Sequence, residues 1–328
     1  MIYVDSNSTS PYFNFALEEY LLTQKDLGDD EIFLFWRTSP TVMVGRYQNT
    51  LAEINEPYVK ANNVNLVRRN SGGGTIYTDM GAWQFTFIQK NYKNEGISFS
   101  KFTTPVVEAL RAEGVDASFS GRNDLMIGNR KFSGNAQYIK DNAMLHHGSL
   151  LFDTDIKSMV EALSVSEEKI IAKGIKSVSQ RVINVKEAMG EGVTSEDFRD
   201  IMLKSLLKGS NKIYKLTDED IKAIEKISKE KFESWEWTYG RNPKFNLERA
   251  KRFKGGRVSF KLEVKNGTIE DCQIEGDFFG SGDIESVEKS LIGCKYKKED
   301  LKKVLDSLDV ESYFYKITGD ELLECLID

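Results

Sequence analysis

The sequence predicts an α+β protein: a mixed, largely antiparallel sheet with flanking helices, followed by a second, smaller α+β unit. Three observations carry this. Short segments rich in β-branched and aromatic residues, joined by short turns, recur up to residue 152. Helical periodicity takes over from 154 to 232, and paired strands return after a break in periodicity at 235 to 246. A chain of 328 residues, 40% hydrophobic and 11% aromatic, can fill one large core and one small one.

The first element is a helix over about 11 to 24. Ser10 can cap it with Pro11 at its first position, and Phe13, Leu17, Tyr20 and Leu21 recur at helical spacing. IFLFW (32 to 36), TVMVG (41 to 45), VNLV (64 to 67), TIYT (75 to 78) and QFTFI (84 to 88) then read as strands of one sheet. A helix at roughly 102 to 113 precedes candidate strands at 116 to 119, at 124 to 138 with a Gly128-Asn129 turn, and at 143 to 152. Thr217 can cap a helix carrying Ile221, Ile224 and Phe232, with acids in its first turn. Gly240 and Pro243 interrupt the pattern, after which RVSFKLEV and TIEDCQIEG form a hairpin through Asn266-Gly267. A helix bearing Leu301, Val304, Leu305 and Leu308 completes a unit of about 80 residues with its own core.

Composition narrows the function classes. There is no 18-residue apolar run, and the N-terminus lacks a charged region followed by an apolar one, so a cytoplasmic protein without a membrane span is expected. A net charge of −6 argues against a nucleic-acid binder, and lysine clusters such as KKEDLKK alternate with acids as solvated helix faces do. Cys272, Cys294 and Cys325 are odd in number and widely spaced, which fits neither a disulfide framework nor a zinc site.

Three clusters carry chemistry. RRNSGGGTIYTD (68 to 79) sets three glycines between two strands and beside two arginines. It is neither a P-loop nor a Rossmann fingerprint, but exposed N–H groups with a guanidinium at hand suit an anion. The plain alternative is a hairpin loop with two exposed arginines. GRNDLMIGNRKFSGNAQY (121 to 138) places Lys131 before Ser133-Gly134, where a point charge can reach into a cleft over a floor of small residues. Taken alone, such a lysine reads as a surface residue, the usual place for lysine. LHHGSLLF (145 to 152) holds His146 and His147, which on a strand point to opposite faces, so only one can face a given site.

In this order and spacing the three clusters, together with PYFNFALEEY near the start, GRYQN (45 to 49) and WTYGRNPKF (237 to 245), closely resemble the lipoate-protein ligase A family. The resemblance covers residues 1 to 246; residues 247 to 328 look like the accessory domain of the longer bacterial members. It implies the biotin/lipoate ligase fold and a two-step reaction. Lipoate and MgATP give lipoyl-AMP and pyrophosphate, and the lipoyl group then passes to a lysine of a carrier, an E2 lipoyl domain or the glycine-cleavage H protein.

The resemblance implies that Lys131 is the central catalytic residue, touching both lipoate and ATP. It places the nucleotide against Arg69, Gly74, Thr75, Ile76 and Tyr77, and lipoate against Ser71, Gly72 and Gly73, with His147 near the lipoyl pocket or else a buried strand histidine. Asp124 is a candidate for positioning Mg²⁺, with a structural capping role as the alternative, and no metal ligands are assigned. Where many members carry a histidine after the loop, this chain reads Ile76-Tyr77-Thr78-Asp79. The tail is expected to close over or rotate around the site between the steps. Two rival readings are an ATP-independent lipoyl or octanoyl transferase and a non-catalytic lipoate- or carrier-binding protein. A thioester mechanism would need a cysteine within residues 1 to 246, which contain none.

Overall fold

A computed structural model describes residues 1–93, 96–121, 123–163, 180–190, 192–210, 212–239 and 245–327. Part of the expected helical stretch (164 to 179), Arg122, and the Gly240 to Lys244 portion of the WTYGRNPKF segment lie outside the described residues. Ser10 caps the helix Pro11–Thr23 by accepting from the Phe13 N–H, with Pro11 in the first turn. Thr217 and Asp220 form a reciprocal capping box on Asp218–Ile227.

The strands are β1 (Ile2–Val4), β2 (Ile32–Trp36), β3 (Thr41–Val44), β4 (Asn65–Arg68), β5 (Ile76–Thr78), β6 (Ala82–Gln89), β7 (Ala117–Ser120), β8 (Asp124–Ile127), β9 (Arg130–Lys140), β10 (Ala143–Leu151), β11 (Ile213–Tyr214), β12 (Leu247–Phe253), β13 (Gly256–Lys265) and β14 (Thr268–Gly276). Eight of them form one sheet in the order β11-β1-β2-β6-β10-β9-β8-β7. β1 pairs in parallel with β11 and β2, and the remaining pairs are antiparallel. Residues of β2 alternate between its faces. Phe33 and Phe35 join a core beneath the helices Ser100–Ala112 and Ser195–Leu207, while Ile32, Leu34 and Trp36 pack with Phe15, Leu17 and Leu21 of Pro11–Thr23.

The expectation of a single sheet for the early strands is corrected. β3, β4 and β5 form a separate three-stranded sheet, ordered β4-β3-β5, that packs against the helix Ile156–Leu163. Pro40 precedes β3 and has no N–H to carry a ladder onward, and its carbonyl instead accepts from Asn65 at the head of β4.

The last residues hold a core of their own: β12-β13-β14 with the helices Ile284–Leu291, Lys298–Asp306 and Gly319–Ile327. The β13–β14 turn uses Asn266 and Gly267, both at positive φ, as the hairpin reading requires. Four elements escaped that reading: β12 and the helices Ile284–Leu291, Val310–Tyr313 and Gly319–Ile327. β12, LERAKRF, is a charged edge strand of alternating exposure, and the final helix follows the one bearing Leu301, which stops before Leu308. Tyr47, from the GRYQN segment, is buried in this C-terminal core, stacked on Phe278 with centroids 5.0 Å apart.

Candidate active site

Between the main sheet, the small sheet and the C-terminal unit lies a cavity of about 220 Å³. Phe15, Trp36, Met43 and Ile76 give it an apolar part; Lys131, Asp124, Asn123 and Thr75 give it a charged and polar one.

Lys131 reaches the cavity because of a defect in strand pairing. Asp124 lies opposite Gly134 and Leu125 opposite Ser133, but the register then shifts so that Met126 faces Lys131. Without that extra residue, Lys131 and Gly134, three apart, would point to opposite faces; the bulge re-aims the lysine to the face of Gly134. The Lys131 backbone is pinned on its other edge, where its N–H donates to Arg181 O at 2.7 Å and its carbonyl accepts from Ile183 at 3.0 Å. Its ammonium pairs with Asp124 at 2.8 Å, each side chain about one third exposed. Lys131 thus lines the cavity while its side chain stays partly open to solvent. Gly134 supplies the expected small-residue floor, since a Cβ there would stand 3.0 Å from Nζ.

The two arginines before the glycine loop are buried, contrary to the exposed-hairpin alternative. Arg68 donates to the carbonyls of Gly45, Arg46 and Gln48 and to those of Trp237 and Thr238, tying GRYQN to the helix Trp235–Thr238. Arg69 curls into its own loop. Its guanidinium donates to Met43 O at 2.9 Å, Gly72 O at 2.9 Å, Gly74 O at 2.7 Å and Ser71 Oγ at 3.2 Å. Burial, with Arg68 nearby, lowers its pKa to about 10, so the charge persists at neutral pH and the carbonyls compensate its lost hydration. Gly73 sits at φ 90°, and a Cβ there would meet the Phe279 ring at 2.7 Å.

Behind the loop runs a buried relay. Glu18 accepts from Thr86 at 2.6 Å and faces His147 Nδ1 at 3.1 Å, while His147 Nε2 stands 2.6 Å from Ser71 Oγ. The carboxylate places the proton on Nδ1, leaving Nε2 to accept from the Ser71 hydroxyl, whose oxygen accepts in turn from Arg69. This is the geometry of a hydrolase triad, yet Ser71 is 1% exposed and shut away from the cavity. It braces the loop. His147 is thus buried and hydrogen-bonded, and it also lines the cavity.

Of the residues expected from sequence, Lys131, Asp124, Arg69, Gly73, Gly74, Thr75, Ile76 and His147 converge on the cavity. Tyr77 does not: β5 alternation buries its ring in the core of the small sheet. Ser71 and Gly72 stand behind the loop, and the Phe278 carbonyl occupies the space a Gly72 Cβ would need. That carbonyl also accepts the Gly73 N–H at 3.1 Å, so the C-terminal unit sits on the loop itself. Among the described residues no group of three or more His, Cys, Asp or Glu could hold a metal, and no helix is long and apolar enough to cross a membrane.

Residues 10–207 match the family model described as Lipoyl protein ligase A/B catalytic domain, and residues 242–326 match Bacterial lipoate protein ligase C-terminus. The chain belongs to the lipoate-protein ligase family. It is 42% identical to Lipoate-protein ligase LplJ of Bacillus subtilis, over 99% of this chain and 100% of that one. It is 43% identical to Lipoate–protein ligase 1 of Staphylococcus aureus, over 98% of each. The crystal structure of P. falciparum LipL1 in complex with lipoate matches with a TM-score of 0.83 at 25% identity, over 99% of both chains.

Sequence reasoning missed several residues of this ligase-family site, Phe15 and Met43 of the cavity wall among them, and three others show why. Glu18 carried a signal, being an acid three residues from Phe15 on the apolar face of its helix. Trp36 read only as a strand residue. Phe279, packed on Phe99 at 5.3 Å, comes from the other unit and had no local signal.

Proposed function

We propose that in this lipoate-protein ligase the cavity is where lipoate is activated with ATP, and that the lipoyl group then passes to a lysine of an apo carrier protein. The observation that carries this is the Lys131 ammonium, held over Gly134 on the wall shared with Gly74 and Thr75. In the first step a lipoate carboxylate oxygen attacks the α-phosphorus, a new P–O bond forms, and the α–β bridge breaks to release pyrophosphate. Two anions must meet, and an ammonium fixed beside both lowers their repulsion. In the second step the acceptor amine attacks the acyl carbon; the amide forms, the mixed anhydride opens, AMP leaves, and the amine loses a proton. Lys131 is then placed to stabilise the oxyanion.

Thr75 and the backbone of Gly74 to Ile76 take the nucleotide side, and Phe15, Trp36, Met43 and His147 the lipoyl side. Arg69 acts through the loop, because its donors already serve loop carbonyls. Mg²⁺ arriving on ATP needs few protein oxygens, and the Asp124 carboxylate on the cavity wall suits that use. The Gly73 N–H becomes a donor for substrate when the C-terminal unit, taken as residues 247 to 328, withdraws Phe278. Cytoplasmic residence and a carrier of the E2 or H-protein type complete the reading.

Pyrophosphate release by the purified chain with lipoate and MgATP tests it, followed by intact-mass analysis of a panel of apo carriers. Lys131→Ala is expected to lower lipoate-dependent pyrophosphate release by about a hundredfold or more. A wild-type chain that releases none, yet modifies a carrier when given preformed lipoyl-AMP, would instead be a transferase.

A further inference from the structure

His146 points away from the cavity, on the opposite face of β10 from His147, among Phe85 and Phe102 at 5.8 and 5.0 Å between ring centres. It is completely buried. Nothing in the reaction just described uses it, although both of its ring nitrogens have partners.

Those partners fix its tautomer. The Gln137 carboxamide is oriented by Ser98, whose N–H donates to Oε1 at 2.9 Å and whose carbonyl accepts from Nε2 at 2.6 Å. The second Nε2 hydrogen is directed at His146 Nδ1, 3.1 Å away, making Nδ1 an acceptor. The ring proton then resides on Nε2 and donates to Asn135 Oδ1 at 3.3 Å. With its oxygen so engaged, Asn135 turns its amide toward Asn123 O at 3.0 Å and Ser133 Oγ at 3.3 Å. Asn123 closes the clamp by donating from Nδ2 to Asn135 O at 2.6 Å, and the Asn135 N–H reaches Asn123 O at 3.0 Å. The next residue is Asp124, counterion of Lys131.

We propose that His146 is a positioning residue for the ligase reaction: its Nε2–H sets the Asn135 carboxamide, which clamps Asn123 and so fixes where Asp124 meets Lys131. The chain of contacts crosses the sheet from one face to the other. It supplies what the bulged β8–β9 pairing lacks, because a register shift weakens the ladder where Lys131 needs a defined direction. Burial in an apolar core holds the imidazole neutral, which keeps Nδ1 an acceptor. The inference rests on Lys131 acting as described above.

The test uses the full chain and three variants, with pyrophosphate release measured at saturating and at limiting lipoate and ATP. His146→Phe keeps a ring against Phe85 and Phe102 but neither donates nor accepts. It is expected to lower kcat by about ten- to a hundredfold while both KM values move less than about threefold, since misplacement of a reacting group costs rate more than affinity. His146→Gln, which can accept from Gln137 and donate to Asn135, is expected to restore most of that loss. Lys131→Ala is the third. A folded His146→Phe with unchanged kcat, beside an inactive Lys131→Ala, overturns the role of His146 alone; an active Lys131→Ala overturns the reading of the site beneath it. A folded His146→Gln as slow as His146→Phe overturns the hydrogen-bond account. Should His146→Phe fail to fold, Asn123→Ala interrogates the same clamp from its half-buried end, and an unchanged kcat there sinks the proposal.

Discussion

The Lys131 ammonium passes over Gly134 so closely that a single added carbon at that position would stand 3.0 Å from Nζ and 3.3 Å from Cε. The tip of a long side chain can yield by a few tenths of an ångström at little cost in stability, but the charge moves with it. Gly134→Ala is therefore expected to leave the melting temperature within a few degrees, since the site is half-buried, and to lower the rate of lipoyl-AMP formation about tenfold or more. Thermal melts and pyrophosphate release on one preparation check both halves. A large loss of stability with normal turnover per folded molecule would contradict the geometry.

Glu18 and Ser71 both bond to the His147 ring, one at each nitrogen. Side chains in one network couple where distant ones simply add. A double-mutant cycle of Glu18→Gln and Ser71→Ala, read by denaturant unfolding, is expected to show a coupling energy of about 0.5–3 kcal/mol. Strict additivity would mean that the relay does not brace the loop.

His146 gives stability a slope with pH. Burial, and secondarily His147, hold its pKa well below the ordinary 6.5, so below that value the unfolded chain binds a proton that the folded chain refuses. Its contribution is complete above about pH 7.5 and is lost as the pH falls below about 6.5 toward the folded value. Carboxylates titrate lower down, so the informative quantity is a difference. The fall in melting temperature from pH 7.5 to 5.5 is expected to be smaller in His146→Gln than in the parent. Equal slopes would show that residue 146 is not the group responsible.

The seam between the two units rests on Tyr47, stacked on Phe278, and on the Gly276 N–H, which donates to Tyr47 O at 2.7 Å. Removing a buried aromatic ring typically costs about 3–5 kcal/mol. Tyr47→Ala is expected to uncouple the units, seen as two melting transitions and earlier proteolysis between them. A chain truncated after residue 246 extends the question to catalysis: if both steps run at parent rates without the tail, movement of the C-terminal unit is not part of the cycle.

Much of this was legible in the sequence, and the gaps have physical causes. Helices with strong caps, such as those begun by Ser10 and Thr217, announced themselves through local chemistry. Alternation along LHHGSLLF correctly limited the cavity to one histidine. Pairing partners were a different matter, because the pattern of TVMV is the same in a main sheet as in a separate one. The bulge that aims Lys131 is a property of two strands in register and leaves no trace in either alone. Alternation along TIYT could have shown that Ile76 and Tyr77 face opposite ways, but the resemblance named them as a block. The burial of Arg68 and Arg69 depended on carbonyls from Met43 through Thr238, which only the assembled chain brings together.

One consequence of the Tyr47–Phe278 stack concerns exchange between relatives. The ring that fills the C-terminal core belongs, by covalent connection, to the other unit. A chimera cut near residue 246 whose head carried a small side chain at position 47 would leave a void in this C-terminal core. Any transplant of that tail must therefore bring a matched residue 47 as its graft partner.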